Sequence, residues 1–195
     1  MILSKVMLKL QDICCRHKIF SKFIKSTQIK MKKYILILFL FLIYQVSAQN
    51  NKIYQNIKTL VNETQKIISI KKGEKIDTAY FRTMFLPSAR FTVVGEENGK
   101  KTHETMTLNE FLVMLTDDYY SKGYYETSQG HIVEEYNGIA HTIQSFYGED
   151  SDGVKAWGVG SQQLIFSDNR WWIANMIWTM SKNGKKGIPK KYLNN

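Results

Sequence analysis

The chain has 195 residues and a formal net charge of +10, with 27 basic against 17 acidic side chains. Nine of the basic residues and one acidic residue precede Gln49, so the remainder holds 18 and 16 and carries a net charge of only +2. A nucleic-acid-binding domain needs a basic face, and no nucleic-acid partner is expected from this balance. Both cysteines, Cys14 and Cys15, also precede Gln49. The rest of the chain therefore has no disulfide, thiolate nucleophile or cysteine metal site.

Residues 31–48 have the three parts of a secretory signal peptide in the usual order. Met31-Lys32-Lys33 is basic, an apolar run extends from Tyr34 to Tyr44, and Val46-Ser47-Ala48 has the pattern of a cleavage site. The run is shorter than the roughly 20 apolar residues of a membrane span. We expect an exported protein, periplasmic or secreted, that meets the membrane only transiently; an uncleaved anchor is the alternative. Residues 1–30 are interpreted as an upstream extension of the reading frame or a disordered leader.

Two helices are predicted at the start of the exported part. Apolar residues recur from Ile53 to Ile70 with a period near 3.6 residues, which is typical of an amphipathic helix. Asp77 can cap a second helix, which is predicted to run through Phe85. Pro87 is expected to stop it, because the residue before a proline is disfavoured in a helix.

A β-hairpin and a third helix are predicted next. β-Branched and aromatic residues over Arg90–Val94 indicate a strand, and Thr102–Met106 is the returning strand. Thr107 stands three residues before Glu110, which fits a capping box at the start of a helix. This helix is predicted to continue to Lys122-Gly123.

The remainder is predicted to form β-sheet. Helices followed by an antiparallel meander indicate an α+β domain. We expect a cone: a strongly bent, mostly antiparallel sheet with about three helices on its concave face, around a pocket. This domain is assigned to residues 49–181, and a basic C-terminal tail to residues 182–195. The predicted strands are Tyr124–Tyr136, Ile139–Tyr147, Val154–Phe166 and Arg170–Met180, separated by turn signals such as Asn137-Gly138.

Several local phrases carry a family resemblance. They are Phe85–Phe91, Gly138–His141, Ser145–Tyr147, Gly158, Ser161–Leu164, and Arg170–Ile173 continuing to Trp178. With the order of elements, they resemble the nuclear transport factor 2-like superfamily, which includes SnoaL-like cyclases and ketosteroid isomerases. The resemblance covers about Ile53 to Trp178 and implies a fold that hosts enzymes, ligand binders and scaffolds alike. Isomerase-type members carry a carboxylate base at the first strand, where this chain has Ser88. A hydroxyl without an activating partner cannot abstract a carbon-bound proton, so this departure speaks against isomerase activity.

Histidine and carboxylate residues are the candidates for proton transfer. A dyad of His131 or His141 with Glu126, Glu134 or Glu135 is one arrangement, and His141 is the candidate catalytic base. A histidine satisfied within its strand is the alternative for each. The acidic runs lack the ligand spacing of a calcium loop, so neither a metal nor a cofactor is expected.

Alternation along the strands separates a candidate pocket face from its reverse. Residues such as Thr142 and Gln144 share one face, and His141 lies on the other; spacing alone leaves open which face is inward. The candidate pocket residues are Tyr80, Thr142, Gln144, Gln162, Trp172 and Trp178. We expect the domain to bind a small, largely apolar molecule in the cone, without demonstrable catalysis. The alternatives are a cyclase, isomerase or dehydratase with a histidine base, and a homodimeric protein-interaction module; a homodimer is expected.

The export prediction can be tested on the protein itself. When the full chain is produced in a bacterial host, we expect cleavage after Ala48, because the cleavage site follows the apolar run directly. N-terminal sequencing of the envelope or medium fraction should then begin at Gln49. An intact Met31 or Met1 on the exported protein would contradict cleavage.

Overall fold

The computed structural model describes residues 52–193. The signal peptide assigned to residues 31–48 and the leader assigned to residues 1–30 lie outside this range. Within residues 52–193, no helix has the length and apolar character needed to cross a membrane. The predicted α+β class is confirmed: helices precede and flank one six-stranded sheet.

The first helix, α1, spans Ile57–Ile68, and a separate helical turn over residues 52–55 precedes it. Asn56 caps α1, with its side-chain Oδ1 accepting from the Thr59 N–H at 2.9 Å. After α1 the chain pairs with the sheet, because the Ile70 N–H donates to the Tyr124 carbonyl at 2.8 Å and the Ile70 carbonyl accepts from the Tyr124 N–H at 3.0 Å. The predicted helix is therefore confirmed over its centre and shortened at both ends.

The sheet consists of six long strands. They are β1 Phe85–Glu97, β2 Lys100–Thr107, β3 Tyr124–Tyr136, β4 Ile139–Asp150, β5 Lys155–Ser167 and β6 Arg170–Met180. Their order is β2-β1-β6-β5-β4-β3. All neighbours pair antiparallel except β1 and β6, which are parallel. The sheet remains open, since β2 and β3 are its two edges.

Left-handed backbone conformations make the tight turns between the later strands. Asn137 and Gly138 have φ of 45° and 83°, and Asp168 and Asn169 have φ of 51° and 58°. Two consecutive residues with positive φ match the twist of a two-residue hairpin. The Asn-Gly signal in the sequence thus marks the β3–β4 turn correctly.

The second helix, α2, covers only Thr78–Arg82 and is capped by Asp77. The predicted extension through Phe85 is wrong. Met84 and Phe85 are buried, and the Met84 carbonyl accepts from the Ile173 N–H of β6 at 3.0 Å. Pairing with β6 therefore replaces the last turn of the predicted helix.

The predicted third helix is split in two. Helix α3 spans Leu108–Met114 and begins with the expected capping box between Thr107 and Glu110. Helix α4 is the short segment Asp118–Ser121, capped by Asp117. The new N-cap at Asp117 explains why one continuous helix does not reach Lys122.

Aromatic side chains fill the inner face of the sheet, which is the face covered by the helices. The rings of Phe91 and Phe111 stack with centroids 4.1 Å apart and an angle of 6° between their planes. Phe81 and Phe85 stack at 4.8 Å. Burying each such ring stabilises the fold by about 1.5–3 kcal/mol. The protein's own core therefore occupies much of the expected cone interior.

The C-terminal tail packs on the outer face of the sheet, opposite the helices. It forms two 3-10 turns, Gly184–Gly187 and Lys190–Tyr192. Ile188 is buried, and the Ser145 hydroxyl of β4 donates to the Tyr192 carbonyl. All five tail lysines stay exposed, but Lys182 pairs with Glu96 of β1, so the tail is attached through its backbone, Ile188 and this ion pair.

Candidate functional site

An open pocket of about 650 Å³ lies between helix α1 and strand β3. It follows the polar side of α1, where residues such as Lys58, Asn62 and Lys66 recur at helical spacing. β3 supplies the opposite wall, including Glu126 and His131. We call this space the α1–β3 pocket.

Gln144 of β4 joins the sheet to α1 beside this pocket. Its Nε2 donates to Gln65 Oε1 at 2.9 Å and to Asn62 Oδ1 at 3.1 Å. Thr142 and Gln162 lie on the same inner face, where the Thr142 hydroxyl donates to Gln162 Oε1. Thr142, Gln144 and Gln162 are each at most 2% exposed. Three of the candidate pocket residues are therefore buried on the inner face, where Gln144 is bonded to α1 and Thr142 is bonded to Gln162.

Glu126 is a carboxylate held by several hydrogen bonds at the end of the pocket. The Tyr124 hydroxyl donates to Glu126 Oε2 at 2.7 Å, and the Glu126 N–H donates to Ser69 Oγ at 2.8 Å. Burial raises the pKa of Glu126, and the hydrogen bonds from Tyr124 and Gln65 partly offset this. Gly148 leaves the space that the Tyr124 hydroxyl needs, because a Cβ there would lie 2.7 Å from it.

His131 presents an imidazole that stays neutral more readily than usual. Burial lowers its pKa, the side chain of Gln144 partly offsets this, and the Lys58 charge lowers it further. Its Nε2 is buried and has no hydrogen-bond partner within residues 52–193. Buried polar atoms are nearly always paired, so this nitrogen can accept or donate one more hydrogen bond.

A β-bulge brings His131 and Glu126 to the same face. The register of β3 against β4 shifts between Ser128 and Gly130. Strict alternation would place residues 126 and 131 on opposite faces, but the extra residue of a bulge reverses the alternation beyond it. Of the dyads considered from the sequence, the structure thus places His131 with Glu126 in the α1–β3 pocket, and His141 with Glu134 and Glu135 in a separate groove.

His141 lies on the outer face, away from the α1–β3 pocket. Its Nε2 is 2.7 Å from the Ser161 hydroxyl, and its register partner on β3 is Glu134. Alternation along β4 separates it from Thr142 and Gln144. The candidate base His141 is therefore not positioned to serve a ligand on the inner face.

The other three candidate pocket residues are dispersed. Trp172 lies on the outer face, with the Arg170 guanidinium 3.8 Å from its ring centroid. Trp178 borders a separate hollow beside α3 and meets Phe111 edge-on at 5.9 Å. Tyr80 is on α2, where burial and the nearby Glu63 raise its pKa. None of the three lines the α1–β3 pocket, and neither do Thr142, Gln144 or Gln162.

Sequence reasoning gave no role to Lys58 or Tyr124. Lys58 is exposed on an amphipathic helix, so it resembles any solvated lysine. Within residues 52–193, no group of three or more His, Cys, Asp or Glu side chains is placed to hold a metal ion.

The raised pKa of Glu126 predicts a dependence of stability on pH. When the folded pKa exceeds the unfolded one, the free energy of unfolding falls as pH rises through the folded pKa. Glu126→Gln removes this ionisation and keeps an oxygen that can accept from Tyr124. We expect urea unfolding to show that the variant loses less stability than wild type between about pH 4.5 and about pH 8. Glu135→Gln, which changes an exposed carboxylate of the same strand, is the control; parallel curves for wild type and Glu126→Gln would contradict the assignment.

Comparisons with known proteins bear on the fold. No family model matches the chain, and no curated protein matches it significantly. Among solved structures, it is similar to a nuclear transport factor 2-like protein with a cystatin-like fold from Novosphingobium aromaticivorans. That match has a TM-score of 0.53 and 9% identity, and covers 76% of this chain and 95% of the other.

Two further solved structures show the same likeness. A protein of unknown function with a cystatin-like fold from Nostoc punctiforme matches with a TM-score of 0.50 and 10% identity, covering 67% of this chain and 92% of its own. A hexachlorocyclohexane dehydrochlorinase from Novosphingobium barchaimii has a TM-score of 0.50 and 12% identity, covering 70% and 88%. At these identities the likeness concerns the fold alone. Together with the element order and the bent open sheet, it identifies this chain as a protein with the nuclear transport factor 2-like fold, as the sequence predicts.

Proposed function

We propose that this protein binds a small molecule in the α1–β3 pocket, and that it does so outside the cytoplasm after removal of the residues up to Ala48. The observation that carries the binding proposal is the buried, unpartnered Nε2 of His131 in the wall of an open pocket. A few fixed polar groups that orient a ligand are characteristic of small-molecule sites. Gln144 contributes to this order by holding α1 against the sheet.

The lining of the pocket favours a polar ligand over the largely apolar one expected from the sequence. Lys58, Glu63, Lys66 and Glu126 all contribute to it. The apolar interior is instead occupied by the phenylalanine core, including the stacked rings of Phe91 and Phe111. A wholly apolar molecule would desolvate these charged groups without pairing them, which is unfavourable.

Two matched histidine variants test this proposal. His131→Leu removes the free nitrogen in the pocket, whereas His141→Leu makes the same change on the outer face. We expect a screen of small polar metabolites to yield compounds that raise the Tm of wild type and of His141→Leu but not of His131→Leu. At a concentration of 100 times Kd, binding adds about 2.7 kcal/mol to the free energy of unfolding. Compounds that stabilise His131→Leu equally would place their site elsewhere, and a screen without hits would speak against binding.

Proton-transfer catalysis is the second candidate function. The pKa of His131 is lowered and the pKa of Glu126 is raised. The two pKa values therefore lie closer together than those of an ordinary histidine and glutamate. Groups with pKa values perturbed in this way are enriched in active sites. The sequence alternative of a histidine-based isomerase or dehydratase then takes His131 as its base. Turnover that survives His131→Leu would exclude this role.

We also propose that the outer face of the sheet forms a homodimer. Tyr136 and Ile139 are 79% and 62% exposed, and they border an apolar groove of about 500 Å³ with Ile165. Exposed apolar patches commonly mark protein–protein contacts.

Ile139→Asp tests the dimer by placing a negative charge in this groove, whose lining also includes Glu134 and Glu135. We expect sedimentation equilibrium of the wild type to give a dimer, and the variant to dissociate at least about tenfold more readily, since burying an unpaired charge is costly. Val113→Asp is the control, because Val113 is 71% exposed on α3. A wild-type monomer, or equal dissociation of both variants, would refute the outer-face dimer.

A further inference from the structure

Of the charged residues that line the α1–β3 pocket, some have a partner within residues 52–193 and one does not. Lys66 and Glu63 form an ion pair on α1, with Lys66 Nζ 3.2 Å from Glu63 Oε1. Glu126 accepts from the Tyr124 hydroxyl at 2.7 Å. Lys58 is the remaining charged residue of the lining, and it forms no salt bridge within the part of the chain that the structure describes.

The Lys58 ammonium acts electrostatically on the wall of the pocket. It is near enough to His131 to contribute to lowering the pKa of that imidazole. An anion placed between the two would pair with Lys58 and accept a hydrogen bond from the His131 Nε2 when the imidazole carries its proton there. A cation in the same place would be repelled by Lys58, which forms no salt bridge within residues 52–193.

We propose that the ligand of the α1–β3 pocket is a small organic carboxylate, whose charged group lies between Lys58 and His131, pairs with Lys58 and accepts a hydrogen bond from His131. This inference rests on the proposed binding function and adds the chemical class of the ligand. It concerns a carboxylate rather than a phosphate ester because the lining offers one unmatched cation. A dianion would keep one charge unpaired, next to the carboxylates of Glu63 and Glu126.

The pocket has room for a ring-sized acid, and this sets the choice of probe. Benzoate and benzamide have nearly the same shape and differ in charge, so their affinities isolate the contribution of the anion. Partly exposed ion pairs are worth up to about 1 kcal/mol. This free energy corresponds to a ratio of Kd values of up to about five, so we expect benzoate to bind up to about fivefold more tightly than benzamide.

The experiment compares both probes by NMR titration of the mature protein, its Lys58→Gln variant and a Lys75→Gln control. Lys75 is an exposed lysine that does not line the pocket. We expect the preference for benzoate in wild type and Lys75→Gln, and equal affinities in Lys58→Gln. The His131→Leu variant should weaken both probes, which places them in the α1–β3 pocket.

The outcomes separate this inference from the function on which it rests. If benzamide binds as tightly as benzoate in wild type, or if Lys58→Gln keeps the preference, the carboxylate assignment is wrong while the pocket remains a binding site. If His131→Leu changes neither affinity, the probes bind elsewhere and both proposals fail. Absence of binding by either probe at millimolar concentration would also overturn the carboxylate assignment, whereas hits from the polar-metabolite screen would then still support the pocket.

Discussion

The hydrogen bonds of Gln144 fix how α1 lies on the sheet, and the pocket depends on that placement. Donation from its amide to Gln65 and Asn62 joins the second strand from one edge of the sheet to the middle of the helix. Such bonds add about 1 kcal/mol each when made, but an unpaired buried amide costs about 1–3 kcal/mol. A shift of α1 along the sheet would break them together. The hydrogen bonds of Gln144 therefore specify one position of α1 on the sheet. Apolar contacts of similar area would define that position less precisely.

The end of α1 is fixed in a second way. The Ser69 hydroxyl donates to the Gln65 carbonyl at 2.8 Å and accepts from the Glu126 N–H at the same distance. Ile70 then pairs with Tyr124 as an isolated β-bridge. The pocket is thus bounded by a helix that is tied to β3 at its C-terminal end and to β4 along its middle. Both walls are held before any ligand arrives, which reduces the ordering cost of binding.

Local sequence signals predicted the elements of this fold better than the site. The capping box at Thr107, the Asn-Gly turn and the bounds of β3 and β6 follow from short-range chemistry. The end of α2 could not be predicted in this way, because Phe85 enters the sheet through pairing with Ile173, which is distant in the sequence. The sequence offered His131 with Glu126 as one of several dyads, but it could not single out this pair, for a related reason. A single extra residue near Ser128 decides which face His131 occupies, and alternation read along the sequence has no sign of it. Alternation did group Thr142, Gln144 and Gln162 on one face, where all three are buried, but none of them lines the α1–β3 pocket.

The docked tail implies a constraint on chain length rather than on chemistry. Ile188 fills a buried position and the Tyr192 carbonyl receives the Ser145 hydroxyl, so the number of residues between these two anchors must be kept. Lys186 and Lys190 are exposed and form no salt bridge within residues 52–193, so other polar residues can replace them, whereas Lys182 pairs with Glu96. Homologous tails should therefore vary in their exposed polar residues but rarely have insertions or deletions between the positions of Ile188 and Tyr192. The charge at Lys186 and Lys190 could therefore be changed by mutation, provided that the spacing between Ile188 and Tyr192 is kept.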